Sequence, residues 1–328
     1  MQSAKTAPSS EAVPGYAAVI SEPRRIDVCR VEFRAPAAGE VRVRIEGCGV
    51  CASNLELWLG KPWFTYPVEP GAPGHEAWGR IDAVGPGVTD LAVGERVAML
   101  SSHAFAEYDF AKSAEVVRLP GDGPFPAEPL GCAVNIFKRA NIRRGETVAI
   151  VGTGFLGLLV AQLAVNAGAR VLALSHRRSS LNLAREFGAS ATIEIHNKQH
   201  VLNNVSELTN GRGCECVIEA AGRQESLDLA TELTSERGRL VIAGYHQDGP
   251  RQVNMQLWNW RGLDVINAHE RDPQVYVAAM REAIAFSDSG VLDPQPLYTH
   301  TFKLAELSQA FETLESSPEG FVKALITL

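Results

Sequence analysis

Three glycines stand at a spacing that lets a backbone turn bind phosphate. Gly152, Gly154 and Gly157 form the pattern G-x-G-x-x-G between a short apolar run, 148–151, and a longer one, 158–167. The first run is typical of a strand buried on both faces, and the second is typical of a helix. Gly152 would allow a tight turn, Gly154 would let the backbone approach a pyrophosphate, and Gly157 would let helix and strand pack closely. The free N–H groups at the helix start complete the predicted dinucleotide-binding turn. Its residues are Gly152, Thr153, Gly154, Phe155, Leu156 and Gly157.

The residues that follow the next apolar run, 171–174, indicate which dinucleotide would bind. A carboxylate at this strand end usually binds the ribose hydroxyls of NAD. Here no Asp or Glu stands between Glu146 and Glu186, and the strand end is Ser175-His176-Arg177-Arg178. A hydroxyl and two guanidiniums suit a 2′-phosphate, so the pattern favours NADP(H) over NAD(H). Arginines that are simply solvated are the alternative interpretation.

The composition is typical of a globular protein with two domains. A length of 328 residues is enough for about two domains. The net charge of -7 gives no support to nucleic acid or an anionic membrane as a partner, and no apolar run is long enough for a membrane span. Six unevenly placed cysteines do not suggest a disulfide framework, so we expect a cytoplasmic protein. Residues 1–14 are predicted to be a flexible tail, since the polar start has no apolar signal-peptide core.

The order of predicted elements divides the chain. Short strands with many turns are predicted up to about residue 120, and a helix is predicted at 131–140. Strands at 148–151, 171–174, 216–219, 239–243 and 263–267 then alternate with helices at 179–187, 224–235, 273–287 and 304–315. A closing strand is predicted at 321–328. The fold class is therefore α/β, with a β-rich domain (15–128 and 271–328) interrupted by a doubly wound parallel domain (129–270).

Several motifs together resemble one known family. They are Gly49-Val50-Cys51-Ala52-Ser53-Asn54, Gly74-His75-Glu76, Gly94-Glu95-Arg96-Val97, Glu128-Pro129-Leu130, the glycine turn, Val217-Ile218-Glu219-Ala220-Ala221-Gly222 and Gly238-Arg239-Leu240-Val241. In this order the chain, from about Tyr16 onward, resembles the medium-chain dehydrogenase/reductase superfamily. The resemblance is specifically to its branch of zinc-dependent alcohol and polyol dehydrogenases of the sorbitol and threonine type. The resemblance implies a GroES-like catalytic domain joined to a Rossmann domain.

The resemblance also implies one catalytic zinc ion. Carried over residue by residue, the metal ligands are Cys51, His75, Glu76 and Glu128. Thiolate, imidazole and carboxylate are the usual zinc ligands, which agrees with this set. Glu76 would be either a close outer group or an exchanging ligand. Cys132, one helical turn after Glu128, is an alternative ligand.

Further roles follow from the same resemblance. Ser53 stands where the family's hydroxyl touches the substrate oxygen, so Cys51, Ser53, Glu56 and His75 are the predicted catalytic residues. The proton path would run from Ser53 to Glu56, or to the cofactor ribose and water. The ends of the family's later strands add Ala220 and Gly244 to the predicted cofactor-binding residues.

The chain departs from the family pattern at three places. No cysteine occurs between Cys51 and Cys132, so the lobe that holds a structural zinc in many relatives is absent. Asn54 replaces a frequent aspartate, and its amide would be a weaker acceptor for a zinc-bound histidine. Glu56 stands where alcohol dehydrogenases often have a proton-relay histidine.

These features predict a zinc-dependent oxidoreductase that transfers a hydride between NADP(H) and a secondary alcohol or polyol, or its carbonyl. One alternative is an NADPH-dependent reductase of an activated C=C or C=N bond, because the relay histidine is missing. Another is a non-catalytic NADP(H)-binding protein. The strand at 263–267 would lie at a sheet edge, which predicts a homodimer or a tetramer.

Overall fold

The computed structural model describes residues 11–328, which form two compact units. The first unit comprises the described chain up to Glu128, His300–Ser316 and Lys323–Leu328. The second comprises Pro129–Thr299 and Ser317–Val322. Within residues 11–328, no helix combines the length and the apolar character that crossing a membrane requires.

Fifteen strands and nine helices are formed by the described residues. The elements up to residue 140 are β1 (Val13–Glu22), β2 (Arg25–Phe33), β3 (Glu40–Val50), α1 (Leu55–Trp58), β4 (Glu76–Val84), β5 (Arg96–Leu100), β6 (Tyr108–Lys112), β7 (Val116–Arg118) and α2 (Ala127–Ala140). The elements that follow are β8 (Thr147–Val151), α3 (Phe155–Asn166), β9 (Arg170–Ser175), α4 (Arg178–Glu186), β10 (Ala191–Glu194), α5 (Lys198–Leu208), β11 (Cys214–Glu219), α6 (Gln224–Leu233), β12 (Thr234–Ile242), α7 (Met255–Arg261), β13 (Asp264–Asn267), α8 (Pro273–Asp288), β14 (Tyr298–Lys303), α9 (Leu307–Ser316) and β15 (Lys323–Thr327).

The first unit is built on a seven-stranded sheet whose main path is β14-β15-β3-β4-β5-β7, with β6 also paired to β3. β3 is its longest strand, and β4, β6 and β15 all pair with it in antiparallel fashion. The register places Gly49 opposite Glu76 on β4 and Val50 opposite Ala324 on β15. The end of β3 is therefore flanked by the start of β4 and the start of β15.

The second unit is a six-stranded parallel sheet in the order β10-β9-β8-β11-β12-β13. All five residues of β8 are buried, as expected for a central strand covered on both faces. The chain moves outward from β8 in one direction and from β11 in the other, so the two strands define a switch point in the topology. The predicted fold class is confirmed: a β-rich unit and a doubly wound parallel sheet of the Rossmann type.

The compact units differ from the predicted domain bounds at the C-terminal side. The boundary after Glu128 is the same, but the chain returns to the first unit at His300 rather than at residue 271. The reason is that α8 packs on α2: a Cβ at Gly131 would lie 3.0 Å from the Met280 nitrogen, and Lys138 pairs with Glu282 at 2.5 Å. The short segment Ser317–Val322 also belongs to the second unit.

Candidate active site

Three potential metal ligands meet where β3 ends and β4 begins. The ligand atoms of Cys51, His75 and Glu76 all lie within 4.8 Å of one another. Cys51 follows β3, and Glu76 is the first residue of β4, so strand pairing itself brings the thiol to the carboxylate. Gly49 is required beside them, because a Cβ there would lie 1.8 Å from Glu76 Oε2. Thiolate, imidazole and carboxylate are a donor set that fits zinc.

The ring of His75 is oriented by the backbone. Its Nδ1 lies 2.9 Å from the Pro73 carbonyl oxygen, and a proton on Nδ1 would make this hydrogen bond. Burial by itself lowers the pKa of His75, but a hydrogen bond to Cys51 and the nearby negative charges raise it to about 10. Those charges belong to Cys51, Glu128 and Glu76. Since the group is rich in negative donors, a bound cation would satisfy it in place of the proton.

A lysine that the sequence analysis missed lies against Glu76. Lys323 Nζ is 2.6 Å from Glu76 Oε1 and 2.5 Å from Oε2, and both side chains are almost completely buried. Burial by itself lowers the pKa of Lys323, but the negative charges of Glu76, Cys51 and Glu128 raise it above its usual value. Glu76 therefore already has a cationic partner within the protein. The available signal was a single lysine inside the apolar run 321–326.

Glu128 stands in the first turn of α2, where a carboxylate is favoured by the helix dipole. It is outside the compact group of three ligand atoms found among the described residues, but its charge raises the pKa of both His75 and Lys323. Glu128 is thus electrostatically coupled to the site. Cys132, the alternative ligand, lies 3.8 Å from the Tyr276 hydroxyl in the second unit.

The remaining predicted catalytic residues lie in the turn after Cys51. Ser53 is half-buried in a 3-10 turn, Ala52–Asn54. Glu56, in α1, pairs with Lys61 at 3.4 Å. The expected hydrogen bond from His75 to Asn54 is not formed, because the Pro73 carbonyl takes that place. The buried Oδ1 of Asn54 has no hydrogen-bond partner among the described residues.

The second unit carries the glycine turn between β8 and α3. Gly152 has φ of 98°, and a Cβ at Gly157 would lie 2.1 Å from the Gly152 oxygen, so both positions exclude a side chain. At Gly154, which precedes α3, the nearest atom to an added Cβ is Arg177 Nη2 at 3.8 Å. The turn therefore has no room for a side chain at Gly152 and Gly157 but has free space at Gly154. This space fits a pyrophosphate at the start of α3. Thr153, within the turn, is fully buried.

The two arginines after β9 have different environments. Arg177 lies near Gly154, and its Nη1 donates to the Phe321 carbonyl oxygen at 2.8 Å. Arg178 is more exposed and pairs with Glu194 of β10 at 3.0 Å. Ser175 is buried and accepts from the Arg177 backbone N–H, whereas His176 is exposed. Only Arg177 of the two arginines is near the glycine turn.

The ends of β11 and β12 approach each other closely beside Ala220 and Gly244. A Cβ at Gly244 would lie 2.2 Å from the Gly222 nitrogen. The fully buried Glu219 accepts from the backbone N–H groups of Ala221 and Gly222 and lies 2.9 Å from His246 Nε2. The sequence analysis did not identify Glu219 as the residue whose carboxylate holds these strand-end loops together. An acidic residue at the end of an otherwise apolar strand was the signal.

Two family models match the chain in succession. Residues 37–125 match the alcohol dehydrogenase GroES-like domain, and residues 156–286 match the zinc-binding dehydrogenase domain. The chain is 26% identical to a sorbitol dehydrogenase of Halalkalibacterium halodurans, over 89% of this chain and 92% of that protein. It is 27% identical to an L-threonine 3-dehydrogenase of Bacillus subtilis, over 86% of this chain and 90% of that protein.

Solved structures show the same fold over 96% of the chain. A putative zinc-binding dehydrogenase from Sinorhizobium meliloti, bound to NADP, is 25% identical with a TM-score of 0.83, covering 96% of this chain and 100% of that one. The chain belongs to the medium-chain dehydrogenase/reductase superfamily, in its zinc-dependent alcohol and polyol dehydrogenase branch. It is an alcohol dehydrogenase of the medium-chain type, and the predicted family is confirmed.

Proposed function

We propose that the protein transfers a hydride reversibly between NADP(H) and a secondary alcohol or polyol, or its carbonyl. The observation that carries this proposal is the meeting of Cys51, His75 and Glu76 within 4.8 Å. A glycine turn open at Gly154 accompanies it in the same chain. When bound, zinc and the nicotinamide supply the Lewis acid and the hydride carrier of this reaction.

We infer that Cys51 and His75 hold the metal together with Glu128. The support is the buried ion pair with Lys323, whose amine donates a hydrogen bond to Glu76 Oε1 at 2.6 Å and lies 2.5 Å from Oε2. The negative charge of Glu128, in the first turn of α2, raises the pKa of His75. Glu76 would then act from outside the ligand set and balance the charge of Lys323.

The proton would pass through Ser53. Its position two residues after Cys51 suits a hydrogen bond to an oxygen held at the metal site. The proton would continue to Glu56, whose pairing with Lys61 places a charged couple within the same short turn, or to the cofactor ribose and water. No histidine is needed on either path.

A preference for NADP(H) is supported by the absence of an acid at the end of β9 and by Arg177 beside the glycine turn. A guanidinium binds phosphate in a fork, so it would hold a 2′-phosphate better than it would hold ribose hydroxyls. Similar solved structures contain either cofactor, NADP in one and NADH in another, so the proposed preference rests on Arg177 and on the missing acid.

We also infer a homodimer, formed through the edge strand β13, with a tetramer as the larger alternative. Val265 on β13 is exposed, and Trp260 of α7, which precedes β13 in the sequence, is 84% exposed. An apolar sheet edge invites pairing with a second copy, which would cover both groups. Light scattering at micromolar concentration should give at least twice the mass of one chain, and a single-chain mass would contradict the inference.

We further infer a cytoplasmic location, which is supported by six cysteines that form no disulfide among the described residues.

Metal content and turnover test the function together. Purified protein should hold about one zinc per chain, and Cys51→Ser should lose most of it, because the thiolate is a primary ligand. Cys29→Ser is the matched control, since Cys29 is exposed on β2. A panel of alcohols and carbonyls, followed by NADPH absorbance, should find turnover that Ser53→Ala lowers without loss of zinc or NADPH binding.

Two results would contradict the proposed function. Full-rate reduction of an activated alkene by Cys51→Ser would favour the double-bond reductase, an alternative that the missing relay histidine at Glu56 supports. Tight NADPH binding with neither zinc nor turnover would favour a non-catalytic binding protein.

A further inference from the structure

A carboxylate from a distant part of the chain lies at the start of α4. Glu319 Oε1 accepts a hydrogen bond from the Ser179 backbone N–H at 2.6 Å, across 140 residues of sequence. Its charge also acts on Arg177, where it opposes the lowering of the pKa by burial. A carboxylate from the C-terminal segment thus lies at the start of α4, close to the strand end that has no acid of its own.

The segment that carries Glu319 is fixed to the cofactor-binding unit by further hydrogen bonds. The Gly320 N–H donates to Ser179 Oγ at 3.1 Å, and the Phe321 carbonyl accepts from Arg177 Nη1 at 2.8 Å. The Val322 N–H donates to Thr299 Oγ1 at 2.9 Å. All these residues belong to the second compact unit. The position of Glu319 is therefore built into this unit.

The start of α4 is suited to an anion. The helix has nine residues, its first turn contains no acidic residue, and the side chain of Arg177 at the N-cap makes no capping hydrogen bond. Free N–H groups at such an end favour negative charge. In addition, the hydroxyls of Ser180 in this first turn and Thr153 in the glycine turn are fully buried and have no hydrogen-bond partner among the described residues. Each of the two turns that would hold the cofactor phosphates therefore contains a buried hydroxyl that could still form a hydrogen bond.

We propose that Glu319 is a specificity-determining residue, whose carboxylate occupies the anion position at the start of α4 and weakens the binding of NADP(H) relative to NAD(H). A 2′-phosphate held by Arg177 would lie beside this carboxylate or would have to displace it from Ser179. Either event costs free energy, because two anions repel in a partly buried site. Arg177 attracts the 2′-phosphate, and Glu319 reduces the affinity that this attraction provides. The proposal rests on the proposed cofactor function of this turn.

The test measures binding of the adenosine half alone, by calorimetry with adenosine 2′,5′-bisphosphate and adenosine 5′-monophosphate. Glu319→Gln removes the charge but keeps an acceptor for Ser179, so the fold should be retained, as thermal melting would verify. We expect this variant to bind the bisphosphate roughly tenfold more tightly and the monophosphate almost as before. Glu186→Gln is the matched control, because it removes an exposed acid from the last turn of the same helix and should change neither affinity.

Three results would overturn the proposal. The first is unchanged or weaker bisphosphate binding by Glu319→Gln. The second is an equal gain in Glu186→Gln, which would indicate a general charge effect. The third is weaker monophosphate binding by Glu319→Gln, which would make Glu319 an acceptor for the ribose hydroxyls.

If the unchanged protein binds NADP⁺ or NAD⁺ but Glu319→Gln has no effect, only this proposal fails. If it binds neither dinucleotide, the proposed function fails as well.

Discussion

The candidate metal site of the first unit and the glycine turn of the second are built in opposite ways. The candidate metal site is dense in charge: Cys51, His75, Glu76 and Lys323 meet because three strands end or begin at one place. The glycine turn holds no charge of its own, and its shape depends on side chains that are absent. The first site should therefore be sensitive to changes of charge, and the second to the addition of a single carbon atom.

Removing the cation of the buried ion pair should have the largest effect on stability. Lys323→Met would leave the Glu76 carboxylate buried without a partner, which costs roughly 3–5 kcal/mol of the free energy of unfolding. Urea denaturation of chelator-treated protein would measure it. Lys303→Met, which changes an exposed lysine on β14, should cost less than about 0.5 kcal/mol. Adding Glu76→Gln to Lys323→Met should recover much of the loss, and an equally unstable double variant would contradict the role of charge.

Adding a methyl group should have different effects at two glycines of the turn. Gly157→Ala places a Cβ 2.1 Å from the Gly152 oxygen, so the start of α3 must shift, at a cost of roughly 1–3 kcal/mol. Gly154→Ala meets no atom closer than 3.8 Å and should fold normally, yet weaken dinucleotide binding because the methyl group faces the predicted pyrophosphate position. Thermal melting and NADPH titration would distinguish the two variants. Equal stability of both would show that the turn adapts more easily than its geometry indicates.

Arg177 and Arg178 follow β9 beside the glycine turn, and their removal should affect cofactor binding to different degrees. Arg177→Ala should weaken NADPH binding about tenfold, because a charge-assisted hydrogen bond to phosphate is lost. Arg178→Ala should have a smaller effect, since Arg178 is exposed and already paired with Glu194. Titration with NADPH and NADH would measure both. An equal loss for NADH in Arg177→Ala would contradict the assignment to the 2′-phosphate.

The fold was largely predictable because its signals are local. The apolar run 148–151 lies within β8, and the helix predicted at 179–187 corresponds to α4, Arg178–Glu186. The C-terminal bound between the two units was harder to predict from the sequence. An amphipathic pattern over 273–287 predicts α8, but it does not indicate which of two units will bury the apolar face.

The candidate site was predictable only as far as its motifs extend. Cys51, His75 and Glu76 stand in short motifs, and the structure brings their ligand atoms together. Lys323 and Glu319 act through contacts across 247 and 140 residues, and no local pattern marks such pairs. The role expected of Asn54 failed for a related reason, because a backbone carbonyl two residues before His75 forms the hydrogen bond instead.

The length of the chain between Phe321 and Lys323 is itself constrained. The Phe321 carbonyl accepts a hydrogen bond from Arg177, and the Lys323 amine binds Glu76, with only Val322 between Phe321 and Lys323 in the sequence. Successive residues of a strand point to opposite faces, and the register is fixed by Ala324 opposite Val50. An inserted residue at this point would turn the amine away from Glu76 or shift the whole of β15 along β3. Val322 could thus be exchanged for another β-branched residue, whereas a single insertion or deletion beside it would be expected to break the ion pair between Lys323 and Glu76.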